Sequence, residues 1–262
     1  MIVDSHCHLD DISFNKDRTE VIARAREVGV KKLLSIGTGN GPPDLEVALR
    51  LAEIFPEVHA TVGIHPHHAH KASPDIFDSL VKLCAHHQVL ALGEIGLDYY
   101  YDNSPRHLQR TAFVSQMEIA RSAKKPIVIH TREAWDDTLD LLEAHWQSSG
   151  LGGIMHCFSG DAHQAQRCLN AGFLISFGGI LTFNRSDDLR RTAAKLPLDR
   201  LLVETDAPYL TPSPLRKIRR NEPCFIVQSV RQLAETLGVT SDVVAETTTR
   251  NFLDLFNLNE QK

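Results

Sequence analysis

The chain has 262 residues, 42% of them apolar, and a formal charge of −5. That composition supplies a sizeable core and excludes a protein that coats nucleic acid through bulk positive charge, leaving only a local basic patch open. No basic segment followed by an apolar stretch opens the chain, and no apolar run approaches the roughly 18 residues that span a bilayer, so the expectation is a cytoplasmic protein without a membrane partner.

Taken in chain order, short apolar, β-branched runs alternate with stretches of helical length. The runs cover Ile2–Ser5, Lys32–Ile36, Val58–Gly63, Val89–Gly93, Pro126–Ile129, Gly153–Met155, Phe173–Phe177 and Arg200–Val203. Between them apolar residues recur near helical spacing, as at Leu45, Ala48, Leu49 and Ala52, or at Leu139, Leu142 and Trp146. Strands that are almost continuously hydrophobic, each followed by a helix, predict a parallel sheet covered on both faces. Eight such units predict a single-domain α/β fold, a (β/α)8 TIM-type barrel over residues 1–262, with a helical tail from about Glu222. The competing fold, a doubly wound open sheet, normally carries a Gly-rich first turn, and no such phosphate-binding turn follows any run here. Cys7, Cys84, Cys157, Cys168 and Cys224 form no CxxC pair and read as reduced thiols.

In such a barrel the chemistry sits at the C-terminal ends of the strands. The residues there are polar: His6 and His8 after the first run, His65 and His67 after the third, Glu94 after the fourth, His130 and Arg132 after the fifth, His156 after the sixth, and Glu204 and Asp206 after the eighth. Residues two apart share a strand face, so each pair looks into the mouth together while Cys7 turns into packing. A lone histidine at a strand end is often only a hydrogen-bonded structural group, and His59, His86, His87, His107, His145 and His163 read that way or as solvated. Glu94 is different: a carboxylate closing an apolar run is costly to bury unless a cation or several donors meet it. Mixed imidazole and carboxylate donors suit Mg, Mn, Zn or Ni rather than copper or iron–sulfur. A glutamate flanked by two clusters suggests a binuclear site with ions roughly 3.5–4 Å apart.

Six stretches, in order over almost the whole chain, sharpen this reading: DSHCHLD from Asp4, GIHPH from Gly63, GEIGLDYY from Gly93, IHTREA from Ile129, HCFSG from His156 and ETDAPYL from Glu204. On these motifs the chain resembles the TatD family of metal-dependent deoxyribonucleases, within the amidohydrolase-like barrels. The resemblance implies two divalent ions per subunit, Mg, Mn or Zn, with His6, His8 and Asp206 on one, His130 and His156 on the other, and Glu94 between them. It also implies that His65 and His67 contact the scissile phosphate. Two segments depart from the family: Thr182-Phe183-Asn184-Arg185 stands where the family carries Thr-Phe-Lys, and Leu215–Asn221 lacks the glycine of an Arg-Gly-Lys and is one residue longer.

The expected reaction is hydrolysis of DNA phosphodiesters, by an exonuclease acting on single strands or ends without sequence specificity, since no recognition helix or zinc module is present. Asp206 would ligate a metal and activate water, with Glu204 either supporting a metal ligand from behind or standing as reserve base. Arg132 and the basic loop around Arg219 and Arg220 would hold the polymer's phosphates. Tyr99, Tyr100, Tyr101, Phe183 and Tyr209 are candidates for stacking unpaired bases, or else for packing. The rival reading is a metal-dependent amidohydrolase, deacylase or lactonase. Those enzymes often bridge their metals with a carboxylated lysine, and no lysine neighbours Glu94. A non-enzymatic metal-bound scaffold or nucleic-acid binding module fits the full ligand set least, and no obligate protein partner is evident.

Overall fold

Eight parallel strands lie side by side in sequence order: β1 (Ile2–Cys7), β2 (Val30–Ser35), β3 (Val58–Val62), β4 (Val89–Asp98), β5 (Ile127–Arg132), β6 (Gly153–Met155), β7 (Phe173–Phe177) and β8 (Leu201–Val203). The structure is a computed structural model that describes residues 1–258. Helices α1 (Arg18–Glu27), α2 (Val47–Ile54), α3 (Pro74–Cys84), α4 (Arg106–Ala123), α5 (Trp135–His145), α6 (Ala162–Asn170), α7 (Asp187–Ala193) and α8 (Ile226–Leu237) follow the strands in turn. The sheet curls into a nearly closed (β/α)8 barrel. Beyond the last regular residues of β8, Asp206 N donates to His6 O at 2.9 Å and His8 N to Ala207 O at 2.7 Å, so chain end meets chain start at the mouth. Buried Asp4 fastens the same seam by accepting Thr205 N at 3.0 Å and Thr205 Oγ1 at 2.5 Å.

The barrel interior is one apolar cluster, to which Val3, Leu34, Ala91, Val128, Ile154, Leu174 and Leu202 each contribute from a strand. Alternate residues such as Met155, Ile175 and Val203 join the larger layer between barrel and helices. The tail extends past α8 into α9 (Ser241–Leu255). From it, Phe252 enters the interior cluster and Asn251 Nδ2 donates to Leu201 O at 2.8 Å, so α9 seals the end opposite the mouth. No helix among the described residues is long and apolar enough to cross a membrane.

Three strands run further than their apolar runs predict. β1 includes His6 and Cys7, β4 continues to Asp98, and β5 continues to Arg132. Polar side chains at the mouth leave the backbone ladder intact, so hydropathy fades before the strand ends. Helix α2 begins later than Leu45, which is buried just ahead of it.

The ladder also carries irregularities that periodicity does not reveal, and two of them lie beside the site residues. Between β1 and β2, Asp4 pairs with Leu33 and Cys7 with Ser35, so β1 holds one extra residue. Between β4 and β5, Gly93 pairs with Val128 and Ile95 with Ile129, an extra residue at Glu94. Such bulges re-aim side chains at barrel rims. On β1, Val3 faces the interior and Cys7 packs outward with its thiol 3.6 Å from Leu34 O. Strict alternation from Val3 would instead turn Cys7 inward and both histidines out. Gly96, at φ 139, lets β4 pass β5 closely: a Cβ there would lie 2.0 Å from the His130 carbonyl oxygen.

Candidate metal centre

Glu94, fully enclosed on β4, turns its two oxygens toward different histidines. Oε2 lies 3.4 Å from His6 Nε2 and 3.9 Å from His8 Nε2. Oε1 lies 2.7 Å from His130 Nδ1 and 3.6 Å from both His65 Nε2 and His156 Nε2. Asp206 completes the first side, its Oδ1 being 3.4 Å from His8 Nε2, 3.7 Å from His6 Nε2 and 4.0 Å from His156 Nε2. The rings of His6 and His156 stack at 3.4 Å. Three overlapping groups, His6–His8–Glu94, His6–His156–Asp206 and His65–Glu94–His130, each bring one donor atom per residue within 4.8 Å of one another.

This donor set fits hard to borderline divalent ions. The electrostatics agree with it. Burial is the largest influence on Glu94 and opposes its charge, yet His156, His6 and His65 hold its carboxyl well below the usual range. Burial likewise opposes ionisation of Asp206, and His8, His156 and His6 overcome it. The carboxylates in turn raise two imidazoles against their burial: His8 to about 9, through Asp206, and His156 to about 10, through Glu204 and Glu94. His6 is lowered, mainly by burial. Carboxylates that pull protons onto enclosed imidazoles mark a pocket short of positive charge, which a divalent cation supplies. His6 Nδ1 is buried without a partner, and the Nε2 atoms of His6 and His8 stand 3.3 Å apart.

The neighbouring positions differ in what they offer. His65 belongs to a possible ligand group, but its Nδ1 accepts the His67 backbone N–H at 3.1 Å. Burial lowers its pKa to about 4, so the neutral ring carries its proton on Nε2 and presents a donor to the pocket. That tautomer suits contact with an anion better than ligation of a metal. Glu204 is fully buried behind His156, not open at the mouth: Oε1 accepts Cys157 N at 2.8 Å and lies 2.9 Å from His156 Nδ1. Of its two expected roles, this position fits that of a carboxylate supporting a metal-binding imidazole from behind, and not that of reserve base. The Cys157 thiol, beside the same pair, is driven well above its ordinary range by burial and stays protonated.

Asp98 is the residue that the motifs contained but hydropathy did not single out. Its Oδ2 lies 3.0 Å from Nε2 of both His67 and His130. The available signal was parity, because Glu94, Gly96 and Asp98 alternate on one strand and share a face.

Of the outlying candidates, Arg132 is exposed with its guanidinium 4.1 Å above the Tyr100 ring. Arg219 is exposed. Arg220 is not free to grip a phosphate in this conformation, since its guanidinium reaches Asp17 Oδ1 and Oδ2, each at 2.7 Å, Glu222 Oε1 at 2.7 Å and Ser13 O at 2.7 Å. Among the aromatics, Tyr99 donates to Asp137 Oδ2 and packs, whereas Tyr209 is half exposed, with its ring 5.7 Å from that of His8. The two segments that depart from the family meet: Arg216 lies 4.0 Å over the Phe183 ring, and Ser213 N donates to Thr182 Oγ1 at 2.8 Å. Asn184 and Arg185 are exposed beside them.

Fold and donor set together are those of a (β/α)8 metal-dependent hydrolase. The sequence matches the family described as TatD related DNase over residues 3–257. The chain belongs to the TatD family. It is 36% identical over 259 residues to a Bacillus subtilis protein named uncharacterized metal-dependent hydrolase YabD, covering 99% of this chain and 100% of that one. It is 34% identical over 256 residues to a Pectobacterium carotovorum protein named 3'-5' ssDNA/RNA exonuclease TatD, covering 96% and 97%. The crystal structure of the TatD homologue YJJV from Escherichia coli superposes with a TM-score of 0.89 at 30% identity, covering 98% of each chain.

Proposed function

We propose that the protein is a nuclease that uses two divalent ions, Mg, Mn or Zn, to hydrolyse phosphodiester bonds of DNA at single strands or ends. The observation that carries this reading is Glu94, whose two oxygens face separate imidazole clusters within one enclosed pocket. His6, His8 and Asp206 would hold one ion, His130 and His156 the other, with Glu94 shared. The Pectobacterium relative's name supports nucleic acid as the polymer and adds RNA to the substrates worth assaying.

Bound divalent ions would acidify a coordinated water and neutralise charge on the phosphate. The protein's own residues do the rest. Asp206 keeps an ionised carboxylate at the pocket edge and accepts the proton of the attacking water. His65 offers its Nε2–H to a nonbridging phosphate oxygen, and His67, braced by Asp98, offers a second contact. Glu204 holds the His156 ring so that Nε2 faces the pocket. Arg219 and Lys217, exposed on the loop after β8, meet phosphates further along the chain. Cleavage without sequence specificity is part of this reading. The protein works in the cytoplasm on this reading.

The test is metal-stripped protein assayed with Mg, Mn or Zn added back, on 5′- and 3′-labelled single and double strands, beside a lactone and an N-acyl substrate. Stepwise shortening of the single strand is expected. Turnover of the lactone or N-acyl substrate with intact oligonucleotides would instead make this an amidohydrolase or lactonase.

A further inference from the structure

Asp98 joins the histidines of the pocket to an exposed aromatic surface. While Oδ2 meets His67 and His130, Oδ1 accepts the backbone N–H groups of Tyr100 at 3.1 Å and Tyr101 at 2.8 Å. The two tyrosines are 59% and 53% exposed, and their rings meet edge to face at 4.9 Å. Arg132, two positions after His130 on β5, lays its guanidinium over both rings, at 4.1 Å and 4.7 Å. The Tyr101 ring lies 5.4 Å from that of His67, nearly perpendicular to it. Tyr99 is excluded from this surface by its bond to Asp137 and by Arg106, 4.3 Å over its ring.

Resting on the nuclease reading above, we propose that Tyr100, Tyr101 and Arg132 form a stacking platform for an unpaired nucleobase adjoining the scissile phosphate, and that this platform selects single strands over duplex. A base inside a duplex has both faces covered by its neighbours, so only an unpaired or frayed base presents a free face to a tyrosine. Stacking tolerates any base, in keeping with the nonspecific cleavage proposed above. The guanidinium serves the same ligand twice, by stacking and by offering N–H donors to the adjoining phosphate. Because one carboxylate orients His67 and His130 and also fixes the backbone of both tyrosines, the platform is held at a set position relative to the reacting phosphate. That preorganisation converts base binding into correct placement of the bond to be cut.

The experiment compares wild type, the double variant Tyr100→Ala/Tyr101→Ala and the control Tyr100→Phe/Tyr101→Phe. The ratio of kcat/KM on a single-stranded oligonucleotide to kcat/KM on bis(4-nitrophenyl) phosphate should fall by about 10- to 100-fold in the alanine variant. The phenylalanine variant should keep it. In parallel, an oligonucleotide carrying 2-aminopurine at its end is titrated with chelated protein: wild type should quench the fluorescence and the alanine variant should not. An unchanged ratio with unchanged quenching overturns the platform and leaves the nuclease reading standing. Quenching that depends on the tyrosines, in a wild type that cuts no oligonucleotide, supports the platform and overturns the nuclease reading. Equal losses on both substrates overturn the platform in favour of a structural role for the tyrosines in holding Asp98.

Discussion

His156 Nδ1 lies 2.9 Å from Oε1 of Glu204, while its Nε2 faces Glu94 and Asp206. A buried carboxylate behind a candidate metal-binding imidazole sets the ring's orientation and raises its basicity. Glu204→Gln keeps an acceptor for Cys157 N but removes the charge. Apparent metal affinity should fall about 10- to 100-fold, and excess metal should restore most of the turnover. Metal titrations of activity in the two proteins check this. A turnover defect that saturating metal leaves untouched would return Glu204 to the role of base.

The bulge in β1 leads to a second expectation. Cys7 is wholly enclosed in the layer between barrel and helices, with His6 and His8 on the other face. Cys7→Ser should bind the same number of metal ions as wild type and should lose about 1–2 kcal/mol of stability, from placing a hydroxyl in an apolar layer. Elemental analysis and denaturant melts read the two effects separately. Reduced metal content would mean that Cys7 faces the mouth.

Much of this architecture is legible in the residues alone. The alternation of apolar runs and helical stretches is enough to recognise the barrel, and from the polar residues after those runs His6, His8, His65, Glu94, His130, His156 and Asp206 come together, whereas Arg132 turns away. What escaped is instructive. Hydropathy closes the fourth run at Gly93 with Glu94 at its end, because the polar Glu94 and Asp98 break the apolar pattern while their backbones stay in the ladder. The bulges at β1 and β4 leave no mark on composition, yet they decide which way His6, His8 and Glu94 point. Glu204 and Asp206 look equivalent as a pair on one strand face, and only the position of His156 shows that the first is enclosed and the second reaches solvent. Arg219 and Arg220 are adjacent cations in sequence, and their difference comes from Asp17, some two hundred residues away in the chain.

That difference is measurable. Arg219→Gln should flatten the dependence of log affinity for single strands on log salt by about 0.7 unit, one phosphate contact. Arg220→Gln should leave the slope unchanged and lower the melting temperature, because it breaks the bonds to Asp17 and Glu222 that anchor the loop to the start of α1. Equal slope changes in the two variants would show that Arg220 leaves Asp17 to meet the polymer.

His59 gives a pH dependence of known sign. Burial first, and then the Lys32 ammonium, lower its pKa to about 4, and its Nε2 lies 3.2 Å from Lys32 Nζ. The unfolded chain protonates near the ordinary value of about 6.5, so below that pH the unfolded state takes up the proton first. The contribution is therefore fully present above about pH 6.5 and lost progressively toward pH 4, amounting to about 1–2 kcal/mol for a half-buried ring. The stability difference between wild type and His59→Gln, measured at pH 7.5 and at pH 4.5, should shift in the variant's favour at the lower pH. A constant difference would contradict the assignment.

On the proposed reading, hydrolysis depends on the ions held around Glu94. That dependence is tested most directly by titrating Mn into protein stripped of metal, verified by elemental analysis, and following cleavage of a labelled single strand against metal bound per chain. Stripped protein should cleave nothing, cleavage should rise to a plateau at about two ions per chain, and Glu94→Gln should turn over more slowly by orders of magnitude at the same occupancy. Stripped protein that keeps the wild-type rate would contradict this dependence.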